Sequence, residues 1–251
     1  MALKKAGKAS CWLSRIGIVI PVYQSLGYLP GLVKEITGAL ETLNEVECHV
    51  VIVDDGSSPP LKFSWPQTHW LQVTLLRHAG NFGKGQALKT GFSWLLQNTL
   101  AEAVVTMDGD GQHPPGYIPR LVTCFQEGGY DLVIGYRKRI PGRMPFHRII
   151  SNTLTSLFIS LLIGEPVRDS QCGFRLYDRR LLETLPLREQ RFHLESEALI
   201  LAGWRRSRIG WVPIPTIYNG APSAIRNLPD TLNFIQLIFK LLRERTSGRI
   251  R

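Results

Sequence analysis

Asp108, Gly109, Asp110, Gly111 and Gln112 set three oxygen-bearing side chains at alternate positions, directly after the apolar run Val104 to Met107. On an extended segment alternate side chains point the same way, which would give two carboxylates and an amide one shared face. Hard divalent cations take oxygen ligands of this kind and keep positions open for phosphate oxygens. The glycines let the backbone come close to a ligand. The same residues also suit a polar strand-to-helix turn capped by Asp110 or Gln112, so the motif alone carries either reading. Two other stretches repeat the theme. "VDDGSS" places Asp54 and Asp55 after a second apolar run, where an Asx-turn is the plainer alternative. "HAGNFGKGQAL", His78 to Leu88, sets three glycines, Asn81 and Lys84 ahead of a helix. Backbone amides and a lysine at a helix N-terminus make an anion site, although the spacing is not that of a Walker loop.

A repeated strand–helix pattern positions these residues. "IGIVIPV", Ile16 to Val22, is a β-branched apolar run that reads as a buried parallel strand. A helical pattern follows from Tyr28 to Leu43. "CHVVIVDD" and "LQVTLLR" read as the second and third strands. Lys84 to Asn98 places Leu88, Phe92, Leu95 and Leu96 on one helical face. "AEAVVTMD" is a fourth strand; Pro114 and Pro115 suit the first turn of the next helix, which Gly128 and Gly129 end; "YDLVIGYR" is a fifth strand. Such alternation predicts an α/β fold with a mostly parallel, doubly wound, Rossmann-like sheet and flanking helices. Ligands of these sheets bind beyond the carboxyl ends of the strands, so the two acid pairs are expected to converge on one cleft. Past residue 137 the pattern blurs into a basic loop, an apolar helix from Ile149 to Ile163, "DSQCGFRLYD", a helical "RFHLESEALILAGW", a strand-like "SRIGWVPIPTIY" and a helix from Asp230 to Arg245.

The 251 residues carry 30 Lys and Arg against 20 Asp and Glu, a net charge of +10. That balance favours phosphate-bearing partners: nucleic acid, anionic lipid or a phosphorylated substrate. Cys11, Cys48, Cys124 and Cys172 lie far apart, without zinc or redox spacing, and read as free thiols in a reducing compartment. No long apolar run follows the basic N-terminus, so a signal peptide is not expected. "LTSLFISLLIG" falls short of the about 20 residues of a membrane span.

"IPVY", "VIVDDGSS", "HAGNFGKGQAL", "MDGDGQHPP", "DLVIGYR", "DSQCGFRLY" and "SRIGWVPIPTIY" occur in the order and spacing of family 2 glycosyltransferases. From Ile16 to Tyr218 the chain resembles the dolichol-phosphate mannosyltransferase and polyprenyl-phosphate glycosyltransferase branch. The resemblance implies a GT-A fold. It also implies inverting, metal-dependent transfer of a sugar from a nucleotide diphosphate, GDP-mannose or a UDP-hexose, to a polyprenyl or dolichyl phosphate. By the same resemblance, Asp108, Asp110 and Gln112 are the ligands of Mg2+ or Mn2+. Pro21, Tyr23, Val53, Asp54, Asp55, Asn81, Lys84 and Gly109 belong to the nucleotide site. Arg137 and Arg175 act with the aspartates at the reaction centre. Arg137, Asp169, Arg175 and Arg226 face the acceptor phosphate, with Cys172 and Gly173 beside it. Two positions depart from the pattern: Gln24-Ser25 follows Tyr23 where the family has Asn-Glu, and "NGAPSAIRN" has no basic residue before Arg226.

The expected organisation is a tail over residues 1–14, a catalytic domain over 15–220 and a basic amphipathic segment over 221–251. In the last, Leu232, Ile235, Ile238, Phe239 and Leu242 share a face, with Lys240, Arg243, Arg245, Arg249 and Arg251 toward its end. Such a helix either binds an anionic membrane surface or packs on the core. The expected setting is cytoplasmic, peripheral to the inner face of a membrane, with a membrane-embedded protein as a further candidate partner. Glu195 and Glu197 read equally as acids near the acceptor or as helix N-terminal acids favoured by the dipole. His113 and His193 read as hydrogen-bonded structural histidines. Two rival functions stand beside this one: transfer to a hydroxyl acceptor, which needs a base, and a non-catalytic lipid- or nucleic-acid-binding role. No motif supports nucleic acid.

Overall fold

The computed structural model describes residues 13–248 apart from 25–26, 44–45, 63, 66–67, 143 and 218–226. Arg226, Cys11 and most of the N-terminal tail therefore lie outside the described residues. Seven strands form one sheet in the order β3-β2-β1-β4-β6-β5-β7. They are β1 (Arg15–Val22), β2 (Glu47–Asp54), β3 (Leu71–Arg77), β4 (Ala103–Thr106), β5 (Leu132–Arg137), β6 (Arg175–Asp178) and β7 (Ile209–Ile214). β1, β2, β3 and β4 pair in parallel, as do β5 and β7. β6 runs antiparallel between β4 and β5. The sheet is mixed but mostly parallel, and its central strands are buried on both faces, as their continuous Val and Ile runs require.

The helices are α1 (Leu29–Glu41), α2 (Lys84–Asn98), α3 (Ile118–Gly128), α4 (Phe146–Ile163), α5 (Arg179–Thr184), α6 (Leu194–Trp204) and α7 (Asn227–Thr246), with a single 3-10 turn at Pro115–Tyr117. α2 packs closely on β1: a Cβ at Gly91 would lie 2.4 Å from Val19, and one at Gly17 would lie 2.5 Å from Leu95. Gly129 closes α3 in the left-handed conformation at φ 58°. α6 is buried from Leu194 to Gly203 and packs against α4.

Two elements differ from expectation. β6 was not anticipated, because only four residues of a polar segment extend, and they do so by pairing with strands distant in sequence. In α7 the buried side is not the expected stripe, of whose described residues only Ile238 belongs to it. Leu237, Ile238 and Leu241 enter the same core as the sheet, while Ile235 and Phe239 are exposed.

Candidate active site

The acidic motif leaves the sheet two residues beyond the end of β4. It is a turn and not an extended segment, so alternation does not govern its side chains. Gln112 N–H donates to Asp110 Oδ1 at 3.0 Å, which is the capping arrangement. Asp108 N–H donates to His113 Nδ1 at 2.9 Å. Burial drives the His113 pKa down to about 4, so the ring is neutral and its Nδ1 accepts. The ring stacks on Phe174 at 5.5 Å, which fixes the turn against the β6 side of the site. His113 is thus a structural anchor for Asp108.

Lys84, the first residue of α2, reaches across to this turn. Its Nζ lies 2.7 Å from Asp108 Oδ1 and 2.6 Å from Glu195 Oε1, at the start of α6. Burial opposes the Asp108 charge, but Lys84 beside it outweighs that and holds the pKa down at about 2. Asp110 moves the other way, raised by burial and then by the neighbouring Asp108 charge. Two carboxylates kept close against their repulsion make a donor set that suits a hard divalent cation. Among the described residues no three His, Cys, Asp or Glu side chains gather into a closed cage. A set of this kind leaves positions for phosphate oxygens.

The glycine turn differs from its expected use. Its Phe82 and Gly83 amides donate to Asp55, at 3.0 and 2.8 Å, and the Gln86 amide donates to the Gln190 carbonyl. Asp55 also meets His78 Nδ1 at 2.7 Å. These amides are satisfied by the protein itself, so Lys84 is the group the turn presents. Asp54 accepts from the Ser57 and Leu61 amides and from Arg77. Val53, Asp54 and Asp55 are all buried at the end of β2. Tyr23 and Asn81 are exposed, and Pro21 and Gly109 lie close together: the Pro21 carbonyl is 3.4 Å from a Cβ built on Gly109.

On the other side, Arg137 at the end of β5 forms a two-pronged pair with Asp169, Nε to Oδ2 at 2.8 Å and Nη2 to Oδ1 at 3.1 Å. Asp169 is fully buried and also accepts from Asn152 of α4 at 2.8 Å. It orients Arg137 and offers no surface to an acceptor. Arg175 corrects its expected role. It is 0% exposed, and its guanidinium donates to the carbonyls of Cys172, Glu195 and Ser170. A phosphate cannot reach it; Arg175 instead ties the 170–173 segment to α6. Cys172 is buried, which pushes its thiol up to about 12, and Gly173 O accepts from Thr106 Oγ1 at 2.7 Å. A Cβ at Gly173 would stand 2.8 Å from Lys84 Nζ, so this glycine makes room for the charge cluster.

The loop from 185 to 193 backs the glycine turn. A Cβ at Gly83 would lie 2.6 Å from the Gln190 carbonyl, and one at Gly85 2.6 Å from that of Arg191. Buried Glu197 of α6 accepts from the Arg188 and Glu189 amides. The same loop is paired to α7, Arg188 with Glu244 and Glu189 with Lys240. Sequence reasoning left Glu195 undecided and missed Asn152 and Ser156. The available signal was polar residues set into otherwise apolar helices.

Residues 17–185 match the sequence profile described as glycosyl transferase family 2. The chain belongs to that family. This glycosyltransferase is 31% identical over 222 residues to the UDP-N-acetylglucosamine–dolichyl-phosphate N-acetylglucosaminyltransferase of Methanococcus voltae, covering 81% of the chain and 86% of that relative. It is 30% identical over 179 residues to the undecaprenyl-phosphate 4-deoxy-4-formamido-L-arabinose transferase of Yersinia enterocolitica, covering 69% of the chain and 51%, about half, of that protein. In fold it resembles glucosyl-3-phosphoglycerate synthase from Mycobacterium tuberculosis, solved with Mn2+, UDP and glucosyl-3-phosphoglycerate. There the TM-score is 0.63 at 20% identity, over 97% of this chain and 86% of that one. The sheet and flanking helices are those of a GT-A glycosyltransferase.

Proposed function

We propose that this glycosyltransferase moves a sugar from a nucleoside diphosphate sugar to the phosphate of a polyprenyl lipid at a membrane surface, with Mg2+ or Mn2+ held by Asp108, Asp110 and Gln112. The proposed catalytic unit is 15–220, with 221–251 adding membrane contact. The observation that carries the acceptor class is α4. Phe146, Ile150, Leu154, Leu157 and Leu161 recur at helical spacing along it, and all are exposed. Its inner side carries Asn152 and Ser156, buried on the segment that holds Asp169 and hence Arg137. One helix therefore offers an apolar face to a lipid and a polar face to the group proposed to meet its phosphate.

At 18 residues α4 is long and apolar enough to cross a membrane, longer than the apolar stretch read from sequence. Its buried polar side commits it to the domain, so it lies on the surface. Ile235 and Phe239 of α7 extend the apolar face, joined through the Phe158–Phe234 ring contact. Lys240, Arg243 and Arg245 supply positive charge near it, complementary to anionic headgroups. Arg249 and Arg251 lie outside the described residues.

The cation, when bound, offsets charge developing on the leaving diphosphate. Asp108 and Asp110, just beyond β4, would hold it. Lys84 adds a positive charge on the same side. Arg137, held by Asp169, is oriented to take an acceptor phosphate by paired hydrogen bonds. That phosphate is already ionised near neutral pH, so the protein's work is positioning and charge stabilisation and no general base is needed.

The test incubates the protein with radiolabelled UDP- and GDP-sugars, a polyprenyl phosphate and Mn2+ or Mg2+. Label should enter the organic phase with wild type and not with Asp110→Asn. Transfer only to a soluble hydroxyl acceptor would overturn the acceptor assignment, and transfer indifferent to Asp110→Asn would overturn the metal assignment.

A further inference from the structure

Glu195 has no part in the chemistry above, yet it is buried beside it. It is 4% exposed, one oxygen meets Lys84 Nζ at 2.6 Å, and the other, Oε2, is buried with no hydrogen-bond partner. A buried carboxylate oxygen left unpaired is costly, so its persistence points to a use. Lys84 shares its ammonium between Glu195 and Asp108. Asp108 is also one of the two carboxylates assigned to the cation, and a divalent cation and an ammonium repel one another at a shared ligand. Asp108, Asp110 and Glu195 with Lys84 make three carboxylates and one ammonium, a formal charge of two negative, which matches a divalent ion. The missing side chain at Gly173 is what lets Lys84 Nζ sit between the two carboxylates, since a Cβ there would lie 2.8 Å from it.

We propose that Glu195 is a positioning residue that draws Lys84 off Asp108 when the donor site takes its divalent cation. Its unpaired Oε2 receives the ammonium as Asp108 turns to the cation. Lys84 then stands beside the bound ion without competing for its ligand, and remains available to the donor diphosphate. The role of Glu195 is exerted through Lys84. This inference rests on the assignment of Asp108 and Asp110 as cation ligands.

Mn2+ alone, without nucleotide or turnover, is titrated into the whole chain, and free Mn2+ is read by electron paramagnetic resonance. Glu195→Gln, of the same size but uncharged, is expected to weaken Mn2+ binding about ten-fold or more, because Lys84 then falls wholly on Asp108. In a Lys84→Met background the same change is expected to alter Mn2+ affinity less than about two-fold. Lys84→Met by itself is expected to tighten Mn2+ binding at least three-fold, which keeps the idea testable if Glu195→Gln does not fold. The inference is overturned if Glu195→Gln binds Mn2+ like wild type, if it loses the same factor with and without Lys84, or if Lys84→Met fails to tighten binding. Asp110→Asn separates this failure from that of the underlying assignment. If Mn2+ binding ignores that change, the metal site itself is wrong and the inference falls with it.

Discussion

Replacing Asp169 by Asn tests whether the buried pair with Arg137 holds the acceptor side of the cleft. Five donors converge on the two Asp169 oxygens: Arg137 N, Nε and Nη2, Asn152 Nδ2 and the Gln171 amide. An amide of the same shape keeps one acceptor oxygen. Either way it is placed, at least two donors lose their partner and the guanidinium loses its counter-charge. Breaking a buried ion pair by removing one partner costs about 3–5 kcal/mol. The Arg137 side chain is 15% exposed, which places the effect at the lower end, about 3 kcal/mol. For a domain of this size that lowers the thermal midpoint by roughly 6–12 °C. Differential scanning calorimetry reads it directly. Arg137→Gln combined with Asp169→Asn should cost less than the two changes added, since each removes the other's partner.

The same pair has a pH signature. Burial works against the Asp169 charge, but Arg137 and the hydrogen bonds from Asn152 and the backbone outweigh it and hold its pKa below the ordinary carboxylate value. Its contribution is therefore complete above the unfolded value near 3.9 and is lost as pH falls through the lower folded value. Urea midpoints of wild type and Asp169→Asn should differ most at pH 5–7 and converge toward pH 2. A midpoint loss under about 2 °C at pH 7, or a gap that does not narrow in acid, would refute the reasoning.

Three further outcomes are expected. Gly173→Ala places a methyl 2.8 Å from Lys84 Nζ and 3.3 Å from Asp108 Oδ1, so nucleotide binding by calorimetry should weaken at least ten-fold. The displaced atom ends a flexible side chain, so urea stability should fall by only about 1 kcal/mol. Gly56→Ala should instead destabilise by about 2–4 kcal/mol in the same assay, because Gly56 sits at φ 78° with the Gly80 backbone 2.4 Å from the added carbon. Leu154→Glu with Leu161→Glu, both on the exposed face of α4, should leave stability within about 0.5 kcal/mol while vesicle co-sedimentation falls several-fold.

Much of the sheet was readable because its strands are uniform apolar runs and its helices carry clear stripes. α2 begins and ends at Lys84 and Asn98, where the Leu88, Phe92 and Leu95 spacing put it. What was not readable depends on partners far along the chain. β6 extends only because β4 and β5 flank it, Thr106 opposite Arg175. Arg175 in isolation is an arginine two residues after a glycine, a natural phosphate contact, and nothing local tells that Cys172, Ser170 and α6 enclose it. The glycine turn has the composition of an anion site, and it does bind an anion, but that anion is the protein's own Asp55. Among the described residues of the α7 stripe only Ile238 is buried; Leu237 and Leu241, outside it, join the core, because the side that turns inward is chosen by core neighbours the pattern does not name.

The loop from 185 to 193 touches the glycine turn on one side and is ion-paired to α7 on the other. On the reading proposed above, in which α7 meets lipid and the glycine turn meets the donor, this loop is a thermodynamic link between the two. Coupling of this kind is reciprocal: any factor by which lipid contact on α7 changes donor affinity is the factor by which donor binding changes lipid affinity. The Arg188–Glu244 and Glu189–Lys240 pairs that make this link are partly solvent-facing, so salt at physiological strength, with its screening length of about 8 Å, weakens it.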